Sequence, residues 1–134
     1  KYMNPLRIQA TAKTPEVLLD PSNNIFEIKG KSVPENAEEF YSLILKWFDD
    51  YVVQPNETSL LRVDLEYFNI SSSKRLLFML YKLNELQDKG NDVQIQWFYS
   101  EADEDMFEVG QDYAFMVKIP FQFVEREAQL VLAS

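Results

Sequence analysis

The sequence predicts an α/β domain with a mostly parallel mixed sheet, an N-terminal antiparallel hairpin and about three helices. Short segments that alternate apolar and polar residues come first, and helical and strand patterns alternate from Pro34 onwards. Strands that alternate with helices require crossover connections, which are typical of parallel sheets. The 134 residues are 46% hydrophobic, which is enough for one domain with its own core.

The first strands follow from two-residue periodicity. Leu6–Thr11 and Ile25–Gly30 alternate apolar and polar side chains, and Glu16–Asp20 lies between them with a proline on either side. The segment Asp20–Asn24 has the composition of a tight turn. We therefore expect the second and third strands to form a hairpin.

A first helix is predicted over about residues 36–53. Apolar residues recur three and four positions apart, and acidic residues stand in the first turn, where they complement the helix dipole. Pro55 ends the pattern. The predicted apolar stripe consists of Phe40, Leu43, Ile44, Trp47, Phe48 and Tyr51.

The remaining elements alternate. Leu60–Phe68 and Val93–Tyr99 have strand periodicity, and a helix with a leucine stripe lies between them and stops near Gly90. A third helix is predicted from the acidic residues 101–105 to about Tyr113. The last predicted strand contains Phe115, Val117, Ile119, Phe121 and Phe123, and Pro120 within it indicates a sheet edge or a bulge.

Composition limits the chemistry. The chain has no cysteine and no histidine, which excludes the usual zinc sites, thiol redox chemistry and histidine-assisted acyl transfer. A formal charge of -9 disfavours nucleic acid and anionic membranes as partners. The first residues lack the apolar stretch of a signal peptide, so we expect a cytoplasmic protein without a cofactor.

A cluster of amide and hydroxyl side chains lies between the Leu60–Phe68 strand and the second helix. One interpretation is helix capping, which is common at helix starts and worth about 1 kcal/mol. The other is an anion or phosphoryl site, because backbone N–H groups at a helix start stabilise negative charge. The cluster consists of Asn69, Ser71, Ser72 and Ser73.

Two cations follow this cluster. Lys74 and Arg75 stand at the end of the helix dipole that disfavours positive charge. A phosphate on Ser71 would reverse that effect, since residues three and four positions on face the same side of the helix. The simpler interpretation is that both cations are merely solvent-exposed.

Acidic residues supply two further alternatives. Glu101–Asp105 does not match a calcium-binding loop, and a dipole-favoured helix start explains it better than a metal site does. A carboxylate-based hydrolase is a further alternative, since two of the 22 acidic residues could meet in the folded chain, although no pair stands out in the sequence.

Several strings resemble the bacterial SiaC family of regulatory phosphoproteins, in the same order and over about residues 14–123. The most specific are the Pro-Glu-Asn string and the Asn-x-Ser-Ser-x-Lys string taken together. The matching strings are Thr14–Glu16, Ser32–Tyr41 followed by Trp47, Tyr67–Asn69 with Ser71–Lys74, Trp97–Tyr99, Asp103–Met106 and Ile119–Phe121.

The resemblance implies a fold related to the STAS-like domains of anti-sigma-factor antagonists, with residues 1–134 as a single regulatory domain. It also implies a non-catalytic partner switch. An anti-sigma-type Ser/Thr kinase would phosphorylate the protein, and a PP2C-like phosphatase would reverse the modification. The unphosphorylated form would bind and activate a diguanylate cyclase.

The family's phosphoacceptor is the hydroxyl residue that follows the asparagine of the Asn-x-Ser-Ser string. Ile70 occupies that position here and cannot accept a phosphoryl group. Either the acceptor has moved to Ser71, Ser72 or Ser73, of which we favour Ser71, or the chain binds its partner constitutively. The predicted switch patch consists of Asn69, Ile70, Lys74 and Arg75. The rival function is a module that binds a small anion or nucleotide at the helix start.

Overall fold

The computed structural model describes residues 2–126, so residue 1 and residues 127–134 of the expected domain lie outside the described residues. The described residues form six strands, three α-helices and one short 3₁₀ turn between the second and third strands. The elements are β1 (Leu6–Ile8), β2 (Glu16–Asp20), β3 (Ile25–Ser32), α1 (Ala37–Tyr51), β4 (Thr58–Phe68), α2 (Ile70–Asp88), β5 (Asp92–Ser100), α3 (Glu104–Met116) and β6 (Phe121–Arg126).

The six strands form one mixed sheet in which spatial order equals chain order. β1, β2 and β3 are antiparallel neighbours, and β3 to β6 are parallel. The predicted α/β class, the N-terminal antiparallel hairpin and the three helices are thereby confirmed. Each parallel connection passes through one helix, and right-handed crossovers in this order place all three helices on the same face.

Burial along β4 supports this one-sided arrangement. Leu61, Val63 and Leu65 are buried under the helices, whereas Arg62 and Glu66 face away and are exposed. A sheet that is covered on both faces would bury both sets of residues. The helix side therefore holds the core, and the other side meets solvent.

The open face of the sheet carries paired charges. The guanidinium of Arg62 lies 3.5 Å from the carboxylate of Glu27 and over the ring of Phe98. Arg126 lies 2.9 Å from Asp64, and its Nη2 donates to the carbonyl of Leu65 at 2.9 Å. Arg126 thus links the end of β6 to β4 across β5. Paired charges of this kind suit a hydrated surface.

The predicted stripe of α1 is correct except at one position. Leu43 is 59% exposed, and Tyr41 is buried instead. The buried arc is centred on Ala37, Ile44 and Phe48, and Leu43 lies about 120° from that centre at 3.6 residues per turn. The stripe predicted from spacing is therefore displaced towards the Leu43 side of the buried arc.

The predicted last strand is wrong in its first half. α3 continues to Met116, and the N–H of Val117 still donates to the carbonyl of Tyr113 at 2.9 Å. Phe115 is consequently a helical residue and is 93% exposed. Pro120 precedes β6 rather than lying within it, although β6 is an edge strand of the described sheet as expected.

Candidate functional site

Asn69 caps the start of α2. Its Oδ1 accepts hydrogen bonds from the N–H of Ser72 at 2.9 Å and from the Oγ of Ser71 at 3.2 Å. Its own N–H donates to the carbonyl of Ser32 at the end of β3. The capping interpretation is confirmed, and the cap fixes the position of the first turn of α2 relative to β3.

The three candidate phosphoacceptors have different environments. Ser71 is exposed, and its hydroxyl lies at the surface. The hydroxyl of Ser73 turns back to donate to the carbonyl of Ile70 at 2.6 Å. Ser72 is 0% exposed, so another protein would reach its hydroxyl only if the turn opened. Accessibility therefore favours Ser71.

Ser72 belongs to a buried cluster of three hydroxyl groups, which we call the hydroxyl cluster: Ser32, Tyr41 and Ser72. Ser32 Oγ donates to Ser72 Oγ at 2.9 Å, and Ser72 Oγ donates to the carbonyl of Ser32 at 3.2 Å. The hydroxyl of Tyr41 lies 2.6 Å from Ser32 Oγ. Since the proton of Ser32 is already used, Tyr41 is the donor of that bond. The cluster joins β3, α1 and α2.

A second tyrosine fixes the same turn from the other side. The hydroxyl of Tyr113 on α3 donates to the carbonyl of Ser73 at 2.8 Å. Burial raises the pKa of Tyr113 to about 12 and that of Tyr41 to about 12. The first turn of α2 is thus fastened to both neighbouring helices by neutral phenols.

These phenols predict a loss of stability at high pH. An unfolded tyrosine releases its proton near the ordinary pKa of 10.0, whereas Tyr41 and Tyr113 retain theirs up to a pKa of about 12. The unfolded state therefore binds fewer protons between these pH values, and the free energy of unfolding falls as pH rises through them. Urea unfolding at stepped alkaline pH measures this slope. Tyr41→Phe should make it shallower, and an unchanged slope would contradict the assignment.

The predicted switch patch contains one strongly exposed apolar side chain and two cations of different character. Ile70, the first residue of α2, is 90% exposed. Lys74 is exposed, with its Nζ 5.7 Å from the ring centroid of Phe78. Arg75 is more enclosed, and its Nη2 lies 3.7 Å from the carboxylate of Glu38 on α1.

Two acidic residues outside the patch, Asp20 and Asp103, accept local hydrogen bonds. Asp103 caps α3 by accepting from the N–H of Met106 at 3.0 Å, as the helix-start interpretation requires. Within residues 2–126, no acidic residues cluster closely enough to hold a metal ion. Hydrogen bonds from Asn23 and Ser22 lower the pKa of the buried Asp20. General acid catalysis would need a raised pKa, so this carboxyl group does not support the hydrolase alternative.

An open cavity of about 570 Å³ lies at the other end of the molecule from the switch patch, beside Tyr51, Asn56 and Thr58. The Oη of Tyr51 already bonds Ser59 and the N–H of Asn56. The hydroxyl group of Tyr51 is therefore already engaged within the protein.

The sequence and the fold agree with those of a known family. Residues 8–126 match the sequence model of the SiaC family regulatory phosphoproteins. The chain belongs to this family. An uncharacterised protein of Pseudomonas aeruginosa strain UCBPP-PA14 is 27% identical over 119 residues, which are 89% of this chain and 94% of that protein. The predicted resemblance is thereby confirmed.

Solved structures of SiaC from Pseudomonas aeruginosa have the same fold. Apo-SiaC is 25% identical, with a TM-score of 0.84, and the match covers 91% of this chain and 99% of that chain. Another match is the diguanylate cyclase SiaD in complex with its activator SiaC, at 26% identity and a TM-score of 0.84 over 90% and 99% of the chains. No helix within residues 2–126 of this SiaC-family chain is long and apolar enough to cross a membrane.

Sequence reasoning missed part of what supports the site in this SiaC-family chain. The sequence marks Ser32 and Tyr41 only as the ends of a string that resembles the family, and it marks Tyr113 only as the approximate end of a predicted helix. Glu38 is one of the acidic residues in the first turn of α1, and nothing in the sequence pattern indicates its ion pair with Arg75. These contacts join residues on different elements, and no local signal reports them.

Proposed function

We propose that this chain is a non-catalytic regulator that binds and activates a diguanylate cyclase while the start of α2 is unphosphorylated. The observation that carries the proposal is that exposed side chains lie on a helix turn that hydrogen bonds hold in place. Ile70 and Ser71 are exposed, while Asn69, the hydroxyl cluster and Tyr113 hold the turn beneath them. The SiaC relative that activates SiaD supports the choice of partner.

Ile70 would supply the apolar centre of the contact. A single exposed isoleucine is common on protein surfaces, but this one stands at the first position of a helix fixed to its neighbours. Burial of such a side chain in an interface contributes about 1.5–3 kcal/mol. Little conformational freedom is lost on binding, because the backbone of the turn is already ordered.

Phosphorylation of Ser71 would reverse the binding. An anti-sigma-type Ser/Thr kinase transfers the γ-phosphoryl group of ATP. The bond between phosphorus and Ser71 Oγ forms, the bond to the bridging oxygen breaks, ADP leaves, and the hydroxyl proton passes to a base of the kinase. A PP2C-like phosphatase hydrolyses the ester. The added charge of about -1.5 to -2 lies beside Ile70 and opposes apolar contact.

The helix would survive this modification. Ser71 is the second residue of α2, where a negative group interacts favourably with the helix dipole. The modification therefore changes the surface rather than melting the turn.

We place the switch in the cytoplasm, where ATP and the partner enzymes are available. We relate its α/β fold, with helices on one face of the sheet, to the STAS-like antagonists of anti-sigma factors.

Two preparations of the protein test this function. One is unmodified, and the other carries phosphoserine at position 71, introduced during synthesis. Titration calorimetry and cyclase assays with the organism's SiaD-like diguanylate cyclase should show binding and activation by the first preparation and at least about tenfold weaker binding by the second. Mass spectrometry after incubation with the kinase and ATP should locate the phosphoryl group on Ser71. Absence of cyclase binding by the unmodified protein would refute the proposal.

A further inference from the structure

We propose that Arg75 changes its ion-pair partner when Ser71 is phosphorylated. It pairs with Glu38 of α1 in the unmodified protein and with the phosphoryl group of Ser71 after modification. The inference rests on the proposed phosphorylation of Ser71. Its specific consequence is that phosphorylation of α2 also breaks an ion pair of α1.

In the unmodified protein, Arg75 forms an ion pair with α1. Its Nη2 lies 3.7 Å from Glu38 Oε2, and its guanidinium carbon lies 5.6 Å from the ring centroid of Phe78. The Glu38 side chain is 80% exposed, so water screens this pair and weakens it. Arg75 is therefore ordered but held by an ion pair that a stronger anion can replace.

A phosphoryl group on Ser71 would be that anion. Ser71 and Arg75 are four residues apart on the same helix, with the anion nearer the N-terminus, which is the favourable orientation for such a pair. The phosphate carries up to two charges and presents several oxygens, so the planar guanidinium can bind it with two parallel hydrogen bonds. Glu38 offers a single charge.

Lys74 is the other cation that could bind the phosphoryl group, and its environment differs from that of Arg75. Lys74 is exposed and three residues from Ser71. Its ammonium group is strongly hydrated and binds phosphate as a point charge without fork geometry. Both cations lie over the ring of Phe78, but the Arg75 side chain is only 23% exposed beside α1, so its attraction to an anion is screened less.

The exchange would release the carboxylate of Glu38 at the start of α1. Glu38 stands in the first turn of α1, where the helix dipole stabilises it without a partner. The ion pair between α1 and α2 would open, and an additional free negative charge would appear on α1. A partner protein that contacts the starts of both α1 and α2 would therefore encounter two changes after one modification, the phosphoryl group on Ser71 and the free carboxylate of Glu38.

Phosphorus NMR tests the exchange without the kinase or the cyclase. Phosphoserine is introduced at position 71 during synthesis, and the second pKa of the phosphate, ordinarily about 6, is measured by titration. The wild type should titrate below that value. Arg75→Gln should raise the proton affinity of the phosphate about twofold to threefold, and Lys74→Gln should raise it by less than half as much.

Glu38→Gln tests the competition. It should lower the phosphate pKa when Arg75 is present, because the arginine is then free to turn, and should have a much smaller effect in the Arg75→Gln background. Circular dichroism of the unmodified variants verifies folding, and Arg75→Lys serves where Arg75→Gln fails to fold. An equal effect of Lys74→Gln and Arg75→Gln, or an equal effect of Glu38→Gln in both backgrounds, would overturn the proposal while leaving the proposed function standing.

Discussion

Replacing Gly110 by alanine is expected to lower the free energy of unfolding by about 1–3 kcal/mol. Alanine is preferred to glycine inside a helix by about 1 kcal/mol, so propensity alone predicts the opposite sign. A Cβ atom on Gly110 would lie 2.6 Å from Trp97 Cδ1 and 2.8 Å from Phe123 Cε1. Both rings are rigid, and the Nε1 of Trp97 donates to the carbonyl of Met106. The added methyl group would therefore push α3 away from the sheet.

Urea unfolding of Gly110→Ala measures this loss. The matched control is the same substitution in a Trp97→Leu background, where the nearest ring is absent and the destabilisation should shrink or change sign. An equal destabilisation in both backgrounds would show that contact with Trp97 is not its cause.

Ile70→Glu is expected to weaken binding to the diguanylate cyclase by at least about tenfold. The substitution removes the most exposed apolar side chain of the switch patch and brings a charge into the interface that the proposed function assigns to it. Val53→Glu is the matched control, because Val53 is 81% exposed and lies beyond the C-terminal end of α1, at the opposite end of the molecule. Calorimetric titration of the cyclase with each variant gives the comparison. Equal losses in both variants would indicate a general charge effect.

Ile70→Thr distinguishes between a lost and a displaced phosphorylation site. It restores a hydroxyl group at the position that the family resemblance marks as the acceptor. If control has been lost in this chain, the kinase should phosphorylate Ile70→Thr and leave the wild type unmodified. If the acceptor has moved, the wild type should be phosphorylated on Ser71.

Local features of the site were predictable from the sequence. The cap at Asn69 depends on residues within three positions of it, and the glycine stop of α2 appears as Gly90 with a φ of 92°. Both features depend on hydrogen bonds and backbone conformations of residues that are neighbours in the sequence. The order of strands and helices followed from periodicity for the same reason.

The supports of the site were not predictable in this way. Ser32 and Ser72 are 40 residues apart and meet only because β3 and α2 pack together. Arg75 was expected in solvent or against a phosphate, and its pairing with Glu38 depends on how α1 lies beside α2. Phe115 fitted a strand alternation by chance, since the hydrogen bonds of α3 continue through it.

Because strand order equals chain order, the sheet can assemble by adding each new strand at the free edge of those before it. No strand has to be inserted between two others, so the contacts between parallel neighbours span only one helix and one strand of sequence. Parallel pairs of this kind close longer loops than a hairpin does, so the antiparallel pairing of β2 with β3 can form before the parallel pairs. We infer that the sheet can grow from β3 towards β6 while the chain is still being synthesised, and that Arg126 links β6 to β4 once β6 has formed.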